Sequence, residues 1–173
     1  MLHVMRKGST VPRSGGRASA TTTYEIIRLV RPLFRHLLKA VESNLAGSGV
    51  TVPMRGVLER LSESGLQTVP RLAEVLLIPR QFAQQIVNEL HRAGLTEQVS
   101  NQSHKRSWLI RLTPAGEDCF RRIRKQEQSV TRSIARGMRQ DDVEACLRVL
   151  SHMTTGFEAV ARVERASPKG RVP

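Results

Sequence analysis

Apolar residues recur every three or four positions along most of this chain, the spacing of helices that each bury one face. From Tyr24 to Ala46 the stripe runs Ile26, Val30, Leu33, Leu37, Val41 and Leu45, broadened by Ile27, Phe34 and Leu38. Pro32 falls inside it and predicts a kink or a later start. Gly47-Ser48-Gly49 ends the segment. A second helix is expected from about Thr51, burying Met54, Val57, Leu58 and Leu61 and stopping at Gly65. A short third helix, capped by Thr68 with Pro70 in its first turn, buries Leu72, Val75 and Leu76. A fourth runs from Pro79 to about Ala93 on Ala83, Ile86, Val87 and Leu90, with Gly94 as its stop.

Between Leu95 and Leu112 the helical period disappears. Leu95, Glu97 and Val99 precede a polar tip, and Trp108, Ile110 and Leu112 then alternate with Leu109 and Arg111. Two strands around a polar tip make a β-hairpin. Thr113 caps a fifth helix that carries Phe120, Ile123, Val130, Ile134 and Met138. A sixth starts at Asp141-Asp142, acids that suit the positive end of a helix dipole, and carries Val143, Leu147, Leu150, Met153, Phe157 and Val160.

The fold class is therefore mainly α with a small β-hairpin wing. A basic arm spans 1–23, a long helix 24–50, a compact winged helix-turn-helix region 51–113, two long helices 114–166 and a basic tail 167–173. The first and sixth helices are too long and apolar to hide against so small a core. A second copy of the chain is the economical cover, through Ile26, Val30, Leu33, Leu37, Leu147, Leu150, Met153, Phe157 and Val160. Packing of three helices within one chain is the alternative.

Charge then narrows the partners. The 28 Lys and Arg against 15 Asp and Glu give a formal +13, which draws the chain toward polyanions, nucleic acid ahead of an anionic membrane surface. Cys119 and Cys146 make neither a disulfide framework nor a metal spacing, so a reducing cytoplasm is the expected setting, with no metal and no cofactor. Cys146 sits beside the sixth stripe, where inert packing is expected. No apolar run approaches the roughly 20 residues that cross a bilayer. The acid-free arm fits a disordered basic extension, an upstream start codon or an organellar transit peptide.

The third and fourth helices are separated by the brief turn Leu77-Ile78, in helix-turn-helix fashion. The second of such a pair lies in the major groove with its first residues near base edges. Off its buried stripe stand Arg80, Gln81, Phe82, Gln84 and Gln85, with no acid before Glu89. Arg pairs with guanine acceptors, Gln with adenine, and an apolar ring with a thymine methyl. Phe82 is equally readable as a core residue at the helix start. Thr68 and Arg71 are expected to hold phosphates. The wing tip, with Ser103, His104, Lys105 and Arg106, suits phosphate contacts and an Arg in a narrow minor groove. Double-stranded DNA is the expected partner.

The ordered set Arg71-Leu72-Ala73-Glu74, Ile78-Pro79-Arg80-Gln81-Phe82, Val87-Asn88-Glu89-Leu90 and Ala93-Gly94-Leu95 resembles the helix-turn-helix of MarR-type regulators. The exit Leu112-Thr113-Pro114-Ala115-Gly116 is similar to that family's Leu-Thr-x-x-Gly, and its wing arginine corresponds to Arg106. The resemblance covers about Tyr24 to Arg165. It implies a homodimer built from the terminal helices, binding a short palindrome, and a small phenolic or other aromatic effector that relieves repression. Three departures stand out: His104 where the family usually has Asp, Leu77 in place of a small turn residue, and Pro32 in the first helix.

An enzyme is not expected, for the sequence has no Gly-rich phosphate loop, no plausible Cys–His pair and no carboxylate cluster in an apolar setting, and no catalytic residue is assigned. Two rivals use the same fold without an operator. One is a basic nucleic-acid-binding protein, although aromatic residues at 3% offer few stacking platforms. The other is a protein-interaction module.

Overall fold

A computed structural model describes residues 17–102 and 107–166. The expectations for residues 1–16, for Ser103, His104, Lys105 and Arg106, and for the tail 167–173 lie outside the described residues. The chain divides after Gly56 into two units, Met1–Gly56 and Val57–Pro173.

In the first unit, α1 spans Ala20–Leu45. It starts a turn ahead of the expected Tyr24 because Ser19 caps it, the hydroxyl accepting from Thr22 N–H at 3.1 Å. Residues 20–23 are thus helix rather than arm. Pro32 neither delays nor ends α1. The carbonyl one turn earlier, which loses its donor, belongs to the exposed Arg28, where water can serve it. Leu45 is the buried residue of α1, and Val50 and Met54 are buried beyond it. The unit boundary falls inside α2, Val52–Ser64.

The second unit holds the remainder of α2, then α3 (Val69–Val75), α4 (Arg80–Arg92), β1 (Thr96–Val99), β2 (Leu109–Leu112), α5 (Pro114–Ala135) and α6 (Gln140–Ala166). Its core gathers Val57, Leu58 and Leu61 of α2, Leu72 of α3, Ile86, Val87 and Leu90 of α4, Ile110 of β2, and Phe120 and Ile123 of α5. All four stripe positions expected on α4 are buried. On α3, Leu72 is buried while Val75 and Leu76 are half-buried, since they lie where the short helix ends.

β1 and β2 pair antiparallel, Thr96 opposite Leu112 and Val99 opposite Leu109. Gln67 joins them from ahead of α3, exchanging two backbone hydrogen bonds with Ile110 at 2.8 and 3.1 Å. Trp108 precedes β2 rather than belonging to it and is exposed, because the pairing ends at Leu109.

Burial on α5 stops at Ile123. Val130, Ile134 and Met138, expected to continue the stripe, are exposed, and no described side chain of α6 is buried. Cys146 is exposed too, which corrects its reading as packing; Cys119 is buried. The C-terminal part of α5 and the described part of α6 thus extend past the core of this unit.

Candidate nucleic-acid interface

α3, its turn and α4 form the geometry that carries the candidate site. Thr68 caps α3, its hydroxyl accepting from Arg71 N–H at 3.3 Å. α4 then begins with Pro79 as N-cap and no side-chain cap. Among the described caps, Ser19, Thr68 and Thr113 each place an oxygen over the first N–H groups of their helices. On α4 those N–H groups are left to an outside acceptor. Together with the helix dipole they attract anions. The first turn of α4 also contains no acid. Sequence reading passed over this open end, although its signal was legible: proline stands where Ser, Thr, Asp or Asn would cap.

Arg80, Gln81, Gln84 and Gln85 are all exposed on one side of α4, opposite the buried stripe. Arg80 forms no ion pair among the described residues. Gln84 donates to Asn88 Oδ1 at 2.9 Å and Gln85 to Glu89 Oε1 at 3.2 Å. Such exposed pairs along a helix stabilise by only about 0.2–0.5 kcal/mol, so either amide can exchange its partner for a base edge. Phe82 is 40% exposed, which decides between its two readings: it belongs to the surface. Arg71 is exposed but paired with Glu74 at 2.7 Å, so a phosphate at Arg71 has to compete with that carboxylate.

A clasp fixes the far end of α4 to the wing. Thr113 Oγ1 donates to Gly94 C=O at 2.7 Å and accepts from Gly116 N–H at 3.0 Å, while Thr113 N–H donates to Leu95 C=O at 3.1 Å. A Cβ at position 116 would collide with the Leu95 carbonyl oxygen, so only glycine lets α5 approach this closely. The Leu-Thr-x-x-Gly run is therefore a joint between α4, β1 and α5. Across the hairpin, Arg111 Nε donates to Glu97 at 2.8 Å, and Asn101 Nδ2 to Ser107 Oγ at 3.1 Å at the root of the tip.

The expected site residues on α3 and α4 thus share one unit, and those of the tip lie outside the described residues. The expected partner face is equally plain. On α1, Ile26 is half-buried and Val30, Leu33 and Leu37 are exposed; on α6, Leu150 and Met153 are half-buried and Leu147, Phe157 and Val160 are exposed. Among the described residues no three metal-ligating side chains cluster, and no helix is long and apolar enough to cross a membrane.

Comparison with known proteins assigns this architecture. A sequence profile of the MarR family matches residues 48–107. An uncharacterised protein of Mycobacterium tuberculosis is 30% identical over 138 residues, covering 78% of this chain and 96% of its own. A MarR family transcription regulator solved by crystallography is 34% identical, covers 82% of this chain and 94% of that one, and superposes with a TM-score of 0.73. The chain belongs to the MarR family. It is a DNA-binding transcription regulator and not an enzyme. More distant MarR-type structures share its fold. Streptococcus pneumoniae FabT in complex with DNA is 18% identical, with TM-score 0.69 over 79% of this chain and 98% of that one. Staphylococcus aureus MarR in complex with salicylate and kanamycin is 15% identical, with TM-score 0.73 over 81% and 95%.

Proposed function

We propose that this MarR-family chain is a homodimeric repressor that reads a short palindromic operator and is released from it by a small aromatic anion. One observation carries the reading: the acid-free, uncapped start of α4 presents Arg80, Gln81 and Gln84 to solvent while its opposite face is wholly buried. A helix held so firmly can enter a major groove without rearranging, and its free N–H groups suit the phosphate at the groove edge. Arg80, Gln81 and Gln84 read bases. Thr68 and Arg71 hold phosphates, and Lys105 and Arg106 of the tip grip the neighbouring minor groove. FabT, which shares the fold, is described with DNA bound.

The dimer rests on the apolar faces that α1 and α6 leave exposed. Two copies would set two α4 helices about 34–36 Å apart, one turn of the duplex. For the effector, a cavity of about 560 Å³ between α2, β2 and α5 combines Leu61, Leu66 and Phe120 with Arg111, Arg121 and Arg124. Apolar walls beside guanidinium groups match a ring carrying a carboxylate. Each guanidinium already has an acidic partner (Glu97, Asp118 and Glu59), so a ligand would replace one exposed pair. Staphylococcus aureus MarR, of the same fold, is described with salicylate.

Selection from random duplexes with the purified chain tests the reading. A palindromic consensus bound two chains per duplex, and weakened by salicylate, is the expected result. Binding without sequence preference would instead make it a general nucleic-acid-binding protein. Binding to a protein partner with no DNA affinity would make it an interaction module.

A further inference from the structure

Two helices of the reading region end in the same way, on different residues. At the end of α4, Leu95 N–H donates to Leu90 C=O and Gly94 N–H to His91 C=O, both at 2.9 Å. At the end of α3, Ile78 N–H donates to Ala73 C=O at 3.0 Å and Leu77 N–H to Glu74 C=O at 3.3 Å. This paired closure needs a left-handed residue just past the cap, which is usually glycine. After α4 that residue is Gly94, at φ 71°; after α3 it is Leu77, at φ 55°. Leu77 is the one non-glycine residue with positive φ among those described. A branched side chain is strained there.

Leu77 is also 83% exposed, more than any other large apolar side chain among the described residues. Backbone geometry disfavours it and core packing does not use it. Glycine or asparagine would close the same turn with no strain and no apolar surface in water. Such an outlier points to a task outside the fold. Its position says which task. Leu77 precedes Arg80, the first residue of α4, by three residues, at most about 10 Å along the chain. Phe82 adds a second exposed apolar group to the same helix start. In a groove approached by that start, the apolar features on offer are thymine C5-methyl groups and deoxyribose carbons.

We propose that Leu77 is a specificity contact that favours thymine, its isobutyl group meeting a thymine C5-methyl beside the bases read from α4. The inference rests on the reading that α4 docks in a major groove. It extends the reading surface back into the turn and accounts for the retention of a strained leucine. Removal of the side chain should lower affinity for one base pair while the protein itself becomes no less stable.

The experiment uses the full chain, the duplex recovered by selection, and two variants that fit a positive φ, Leu77→Gly and Leu77→Asn. Both are expected to melt at or above the parent temperature and to bind that duplex about tenfold more weakly. Each thymine is then replaced in turn by deoxyuridine, which lacks the methyl. At one position the parent should lose about fourfold in affinity, the worth of one buried methyl group, and both variants should lose nothing. A turn that mattered only for its shape would leave the deoxyuridine penalty intact in the variants, and that result overturns the proposal. So do variants that bind like the parent, or variants that melt clearly lower. If the parent binds no duplex at all, the groove-docking reading itself has failed. If the parent binds and Leu77 proves neutral, only this inference has.

Discussion

α4 and α6 carry the same helical repeat of apolar residues and meet opposite fates. On α4, Ala83, Ile86, Val87 and Leu90 are at most 2% exposed; on α6, Leu147 and Phe157 keep 60% and 58% of their surface in water. The repeat alone therefore does not say what covers a helix. α4 is covered by neighbours within its own unit, so its polar side is held rigidly enough to read something. α6 buries no described side chain fully, and most of its apolar side stays exposed. One stripe makes structure; the other is left in water.

The largest effect should come from breaking the covered stripe. Leu90→Ala leaves a cavity in the core where α4 packs on α3 and β1 and should lower unfolding free energy by about 2–5 kcal/mol, measured by urea denaturation. A loss below 1 kcal/mol would mean α4 is less firmly anchored than its burial says. Breaking the uncovered stripe should leave stability of the winged region alone. Phe157→Asp removes a ring worth about 1.5–3 kcal/mol on burial, so dimer dissociation should rise at least tenfold in sedimentation experiments, with monomers still folded. A monomeric parent, or a variant that dimerises unchanged, would sink the contrast between the two helices.

Smaller changes sharpen the polar side. Arg80→Ala should cost roughly 1–3 kcal/mol of operator affinity and relax preference at one base pair. Arg71→Ala should instead weaken all duplexes alike and reduce the salt slope by about one. That signature is a phosphate contact's, and it appears only if Arg71 gives up Glu74 on binding. The smallest effect belongs to the clasp: Thr113→Ala removes the α5 cap and should destabilise by about 1 kcal/mol, read from the thermal midpoint.

The compact region was legible from its residues because local preference and burial agree there. Thr68 and Thr113 announce caps, Gly65 and Gly94 announce stops, and the stripes of α2 and α4 are buried where their period places them. At both ends of the chain those levels separate. Thr21, Thr22 and Thr23 look like part of a polar arm until Ser19 is seen to cap them into α1. Pro32 looks like a break until the exposure of Arg28 lets water take the carbonyl left without a donor. Val130, Ile134 and Cys146 carry the pattern of a core that the unit does not supply, since burial depends on a surface elsewhere. In the site, Arg80 and the glutamines could be named from spacing. The missing cap on α4 was written in Pro79, whereas the left-handed backbone of Leu77 could not be weighed without geometry.

One hydroxyl, on Thr113, touches both the residue that ends the reading helix and the first turn of α5, and the absent side chain of Gly116 removes the last slack between them. The joint has no spare room in which to absorb a rotation. A tilt of α5 is therefore handed to the end of α4 as through a crank.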